Sequence, residues 1–124
     1  MDRVIVRMKD KIIYIKYKEK DYPLAFTLNV MEALQEKYGS IDEWASKIDN
    51  KDNKEPNIKD IKYSLWLMIN EGIEMQNDDN EEKMETVDLK KAGRIITAFG
   101  LSNTSEKIKN LIVDSTKVDN TKNV

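Results

Sequence analysis

The chain has 124 residues and a mass of 14.5 kDa, which suits one domain and is too short for two independent hydrophobic cores. It contains no cysteine and no histidine, which excludes thiolate nucleophiles, Cys/His zinc sites and histidine-dependent catalysis. No segment approaches the roughly 18 consecutive apolar residues of a membrane span. Arg3 and Arg7 interrupt the apolar residues that a secretion signal would need. We therefore expect a cytoplasmic protein without a membrane partner.

Charge is distributed unevenly along the chain. Residues 1–20 carry seven Lys/Arg and three Asp/Glu, residues 21–89 carry seven and seventeen, and residues 90–124 carry seven and three. The acidic middle is compatible with attraction between the segments, with solubility alone, or with an acidic face for a basic partner. Because the chain has an acidic pI and no clustered basic run, we do not expect nucleic acid as a partner.

The N-terminal part of the chain predicts strands. They are expected at residues 4–6, 11–17 and 22–26, with a polar turn at residues 18–21. β-Branched and aromatic residues dominate the second of them. In the third, the two-residue period places Tyr22, Leu24 and Phe26 on one face. Pro23 lacks a backbone donor, so this strand is expected at an edge of the sheet.

The rest of the chain predicts helices. Apolar spacing places them at about residues 28–38, 41–48, 58–76, 88–99 and 104–115, with polar loops at residues 49–56 and 77–85. The residues expected to face inward are Leu28, Met31, Leu34 and Tyr38; Ile41, Trp44, Ala45 and Ile48; Ile58, Ile61, Leu65, Met68, Ile69 and Gly72, with Trp66 and Ile73 beside them; Leu89, Ala92, Ile96 and Phe99; and Ile108, Leu111 and Ile112.

The ends of the helices carry recognisable signals. Ser40 and Glu43 form a capping box, and Asn57 is a candidate cap of the long third helix. Gly39 and Gly100 are expected to end the first and fourth helices. The candidate caps of the last helix are Ser102, Thr104 and Ser105.

These elements predict an α+β fold, in which a small N-terminal antiparallel β-sheet or hairpin packs on a bundle of four to five α-helices. Residues 1–115 are expected to form this single domain, and residues 116–124 a frayed polar tail. Gly72 lies inside the long helix at a cost of about 1 kcal/mol relative to alanine. A close helix crossing at that position would explain the glycine.

No group of residues predicts an active site. The carboxylate pairs Glu32/Glu36 and Glu71/Glu74 are assigned to solvent-facing sides of helices. The acidic residues at 78–82 lack the ligand spacing and the glycine of a calcium loop. We therefore expect no catalytic residue, no metal, no cofactor and no enzymatic activity.

One order of motifs is more specific than the rest. Tyr-Pro-Leu-Ala-Phe at residues 22–26 is followed by a helix ending in Glu-Lys-Tyr-Gly-Ser at residues 36–40, by a short helix with Trp44, and later by Gly-Leu-Ser at residues 100–102 before a closing helix. Over about residues 11–115, this order resembles the tail assembly chaperones of long-tailed phages and prophages, which are encoded between the tail tube and tape measure genes.

The resemblance implies a non-enzymatic chaperone. Such proteins bind the long helical tape measure protein, keep it soluble while the tail tube assembles, and are absent from the mature virion. It also implies activity in the cytoplasm of the bacterial host. Contact with the tail tube protein and homo-oligomerisation are further expectations.

A chaperone of this kind needs exposed apolar side chains within a charged surface. Tyr63 and Leu67 fall outside the main apolar stripe of the long helix, Trp66 widens that stripe, and Met75 is adaptable to varied partners. These four residues are the predicted partner-binding residues, and an ordinary core position is the alternative for each.

Two other interpretations stay open. The chain could be a small adaptor or regulatory module of an unrelated pathway, in which case no tape measure gene would lie nearby. It could also bind nucleic acid through its basic N-terminal strands, in which case binding would depend steeply on salt.

Overall fold

A computed structural model describes residues 12–49 and 57–115. The strands are β1 (Ile12–Tyr17) and β2 (Lys20–Ala25), and the helices are α1 (Leu28–Tyr38), α2 (Ile41–Ile48), α3 (Ile58–Asp79), α4 (Leu89–Phe99) and α5 (Leu101–Ser115). Within these ranges the fold is α+β, with an antiparallel two-stranded sheet followed by five helices, which confirms the predicted class. The predicted strand at residues 4–6, residues 50–56 of the polar loop and the tail at residues 116–124 lie outside the described residues.

The β1–β2 hairpin closes through a turn of two residues, Lys18 and Glu19. Their φ angles are 51° and 64°, and left-handed conformations at both central positions match the twist of the flanking strands. Tyr17 pairs with Lys20 across this turn. The predicted four-residue turn at 18–21 is therefore too long, and β2 begins and ends earlier than expected.

Strand β2 lies in the interior of the domain. Tyr22, Leu24 and Phe26, which the two-residue period places on one face, are buried, but Pro23 and Ala25 between them are buried too. Helix α3 contacts β2 and also packs against α1, α2, α4 and α5, so it is the central element of the core. The buried apolar residues are Ile15, Tyr22, Leu24, Ala25, Phe26, Val30, Leu34, Trp44, Ile48, Ile61, Leu65, Met68, Ile69, Ile73, Val87, Ala92, Ile95, Ile96, Ile108 and Leu111.

Gly72 marks the closest approach of α3 to β2. A Cβ atom placed there would lie 2.7 Å from the carbonyl oxygen of Pro23. The glycine therefore does permit a close approach, but the element that comes close is a strand, and the predicted helix crossing is wrong.

Three of the predicted inward-facing residues are exposed. Leu28, Ile58 and Leu89 are 65%, 60% and 42% exposed, and each is the first residue of its helix. Side chains in a helix tilt toward its N-terminus, so the first side chain points beyond the helix end and away from the core. In α1 and α4 the core positions are taken instead by residues that the periodicity did not single out, Val30 and Ile95.

The helix ends follow the predictions in part. Ser40 Oγ accepts a hydrogen bond from the Glu43 amide at 3.0 Å. Gly39 and Gly100 end α1 and α4 with positive φ angles. Asn57 makes no side-chain cap, because its side chain donates to the Lys47 carbonyl at 2.5 Å.

Helix α5 starts at Leu101, directly after Gly100, and not at residue 104. The predicted caps Ser102, Thr104 and Ser105 consequently lie inside its first turns. Thr104 Oγ1 donates to the Gly100 carbonyl at 2.8 Å, and Ser105 Oγ donates to the Ile48 carbonyl at 3.0 Å. These hydroxyls bond to carbonyl groups, whereas a helix cap accepts from an amide.

The loop between α3 and α4 is held on α3 by two asparagine side chains. Asn77 donates to the Met84 carbonyl at 2.9 Å and accepts from the Met84 amide at 2.9 Å. Asn70, seven residues earlier on the helix, makes the same pair of bonds to Val87 at 2.9 and 2.8 Å. The predicted solvated loop at residues 77–85 therefore begins later, after Asp79, and is attached to the fold.

Replacing Asn77 with alanine should remove both hydrogen bonds between its side chain and the backbone of Met84. Met84 would lose both partners, and because its amide is half-buried we expect a loss of about 1–2 kcal/mol in the free energy of unfolding. Amide hydrogen exchange should accelerate at Met84 and stay unchanged at Val87, whose partner is Asn70. Equal acceleration at both amides would show that the loop detaches as one unit.

Candidate functional site

Helices α1 and α3 run antiparallel and are joined at both ends. At one end, Thr27 Oγ1 donates to Glu71 Oε2 at 2.5 Å, and Thr27 also caps α1 by accepting from the Val30 amide. At the other end, the Tyr38 hydroxyl donates to Asp60 Oδ1 at 2.7 Å. These two contacts connect both ends of α1 to α3.

A cavity of about 230 Å³ opens between the two helices; we call it the α1–α3 groove. Its lining residues are Asn29, Val30, Trp66, Leu67, Asn70, Glu71 and Glu74. Pockets for small molecules and cofactors are typically about 300–1,000 Å³, so the groove is smaller than a usual cofactor site. Its size suits one or two apolar side chains of a protein partner.

An aromatic cluster lies beside the groove. The ring of Tyr63 is 5.6 Å from that of Trp66 and 6.4 Å from that of Tyr38, between centroids. Lys37 Nζ lies 4.6 Å from the Tyr63 ring centroid, within cation–π distance. The three rings are only half-buried, so the cluster presents apolar surface at the domain's exterior.

Both tyrosines in this cluster remain protonated at neutral pH. Burial raises the pKa of Tyr38 well above its usual value, and the hydrogen bond to Asp60 raises it further. Burial also raises the pKa of Tyr63, with a smaller contribution from the negative charge of Glu36. The hydroxyl of Tyr38 is therefore available as a donor to Asp60, and no catalytic phenolate is expected here.

The rim of the groove is acidic. In the part of the chain that the structure describes, Glu71 and Glu74 are among the lining residues, and no lysine or arginine is. Glu71 is half-buried and accepts hydrogen bonds from Thr27 Oγ1 and Asn29 Nδ2, so its assignment to a solvent-facing side was wrong. Glu74 is exposed, as are Glu32 and Glu36.

The structure places three of the four predicted partner-binding residues together. Trp66 and Leu67 line the α1–α3 groove, and Tyr63 contacts Trp66. Met75 is half-buried but does not line the groove. The sequence patterns missed the contribution of α1, because Asn29 and Val30 carry no signal that places them opposite Trp66.

A second cavity of about 250 Å³ lies near α5 and is more polar. It is lined by Ile48, Asp49, Ile61, Leu101, Ser102, Ser105, Glu106 and Lys109. Lys109 Nζ lies 3.5 Å from Asp49 Oδ1, so opposite charges already pair within it. A larger share of its lining surface is polar than in the α1–α3 groove.

The described residues form neither a cluster of metal ligands nor a helix that could span a membrane. In residues 12–49 and 57–115, acidic side chains do not gather in a group of three or more that could hold a metal ion. None of the helices in those ranges combines the length and apolarity that crossing a bilayer requires.

Tyr22 in the basic hairpin is not placed to stack on a nucleic-acid base, although two lysines lie beside its ring. Lys20 and Lys91 lie within 6 Å of the Tyr22 ring centroid, at 5.6 and 5.9 Å. Tyr22 itself is only 3% exposed, so its ring face is covered. Base stacking requires accessible aromatic faces beside the cations.

Comparison of the chain with protein-family models, with curated proteins and with solved structures finds no match.

Proposed function

We propose that this protein is a phage tail assembly chaperone that binds the tape measure protein and keeps it soluble while the tail tube assembles. The observation that carries the proposal is the α1–α3 groove, in which Trp66 and Leu67 remain half-exposed beside an aromatic cluster. An apolar groove on a charged domain is a common receptor for amphipathic helices. The motif order at residues 22–44 and 100–102 adds the resemblance to this family.

In this proposal the protein acts in the host cytoplasm and is not part of the mature virion. Its partners are the tape measure protein and the tail tube protein, and self-association would multiply the number of grooves available to one long client. The alternative is a small adaptor that uses the same groove for a protein of another pathway. The α1–α3 groove suits either function, so the identity of the protein that it binds distinguishes the two.

Co-expression with the tape measure protein encoded nearby tests the proposal. We expect soluble client that co-purifies with the wild-type chain. Leu67→Asp should lower the recovered complex by about fivefold or more, because it places a charge in the apolar part of the groove. Insoluble client without co-purification would overturn the chaperone function and favour the adaptor.

Ile58→Asp is the matched control for this variant. Ile58 is on the same helix but 60% exposed at its first position, where a negative charge is favourable. It should bind the client like the wild type. Far-UV circular dichroism should show that both variants are folded, and equal loss of client in both would exclude the groove as its binding site.

A further inference from the structure

We infer that the α1–α3 groove selects a helical protein segment whose apolar ridge is flanked by lysine or arginine. This inference rests on the proposed function, because it specifies the chemistry of the client at that site. Two features of the groove carry it: the spacing of its apolar surface along α3 and the sign of the charges at its rim.

The apolar surface follows one face of α3. Tyr63 lies three and four residues before Trp66 and Leu67, and the same face becomes polar at Asn70 and Glu74. The apolar part from Tyr63 to Leu67 is about one helical turn long, and with the polar part up to Glu74 the face is about three turns long. A partner helix presents its own apolar residues at the same period, so one or two of them can contact the apolar part while its flanking residues lie over the polar part.

Among the described residues, the charged side chains that line the groove are negative, and the nearby cation of Lys37 lies outside the lining, over the Tyr63 ring. Glu74 is exposed, and Glu71 is held in place by two neutral donors, Thr27 Oγ1 and Asn29 Nδ2. Hydrogen bonds from neutral groups orient this carboxylate without cancelling its charge. Partial burial lowers the local dielectric constant and strengthens its attraction for a cation. A helix with basic flanks would meet complementary charge, and one with acidic flanks would be repelled.

Two synthetic peptides of about 18 residues, long enough to form a helix, provide the test. Both carry the same leucine stripe, but one has lysine and the other glutamate beside it. Trp66 lines the groove, so its fluorescence should shift to shorter wavelength on binding. The lysine peptide should bind the wild-type chain at least about tenfold more tightly than the glutamate peptide at low salt.

Two variants assign the charge preference to the groove. Glu74→Lys should lower the affinity for the lysine peptide by about fivefold and raise the affinity for the glutamate peptide. Glu106→Lys makes the same charge change at the second cavity and should leave both affinities unchanged. Trp66→Phe should abolish the fluorescence shift, whereas Trp44, which is buried, should not respond.

The outcomes separate this inference from the proposed function. Equal binding of the two peptides, or equal effects of Glu74→Lys and Glu106→Lys, would overturn the charge selectivity even if the tape measure protein co-purifies. The tape measure protein could instead stay insoluble while the lysine peptide is still preferred and its binding still depends on Glu74. That result would overturn the chaperone function and leave the charge selectivity standing. A second copy of the chain as occupant would appear as concentration-dependent association that Glu74→Lys abolishes, and would also overturn the inference.

Discussion

Gly72→Ala should lower the free energy of unfolding by about 2 kcal/mol or more, although alanine is the better helix former. The added Cβ would lie 2.7, 2.8 and 3.1 Å from the carbonyl oxygen, carbonyl carbon and Cβ of Pro23. Two of these atoms are backbone of β2, so the strand itself would have to move. The gain in helix propensity is only about 1 kcal/mol. Urea denaturation followed by far-UV circular dichroism measures the difference.

Gly93→Ala is the matched control because Gly93 also lies inside a helix, α4. Its added Cβ would meet only the Lys62 side chain, at 3.2 Å from Cδ, and this flexible chain can shift. We expect stabilisation by about 0.5–1 kcal/mol. Changes of the same sign in the two variants would show that helix propensity, and not the contact with Pro23, determines the effect at Gly72.

The elements that could be predicted from sequence are those with local causes. Ser40 caps α2 through an amide three residues away, and Gly39 ends α1 through its own backbone conformation. The β-branched run in β1 likewise acts within a few residues. Such signals predicted the α+β class and most helix bounds without knowledge of the tertiary contacts.

The groove could not be predicted in the same way, because contacts distant in sequence form it. Thr27 and Glu71 are separated by 44 residues and Tyr38 and Asp60 by 22. Nothing in the local pattern of α3 shows that Glu71 faces α1 and not water. Tyr63 and Leu67 were predicted to bind a partner only because they fall outside the main apolar stripe of α3. That position does not show which side chains lie opposite them.

Trp44→Ala should lower the free energy of unfolding by about 3–5 kcal/mol, the largest loss expected among these variants. Trp44 is 1% exposed, and its Nε1 donates to Ser64 Oγ at 2.7 Å. Ser64 in turn donates to the Asp60 carbonyl at 2.7 Å, and the Asp60 carboxylate accepts from Tyr38. Through this chain of bonds, α1 and α2 are both anchored to one turn of α3. Thermal denaturation followed by circular dichroism is the measurement.

A double-mutant cycle separates the hydrogen bond from the packing of the indole ring. Ser64→Ala leaves the buried indole N–H without its acceptor, which should cost about 1–3 kcal/mol. Trp44→Phe removes the donor and part of the side-chain volume. The loss in the free energy of unfolding of the double variant should therefore be about 1 kcal/mol smaller than the summed losses of the two single variants. Full additivity would mean that the Trp44–Ser64 bond contributes nothing and that packing alone holds α2. A coupling of about 1 kcal/mol would show that the hydrogen bond itself, and not packing alone, joins α2 to the turn of α3 whose Asp60 also binds Tyr38 of α1.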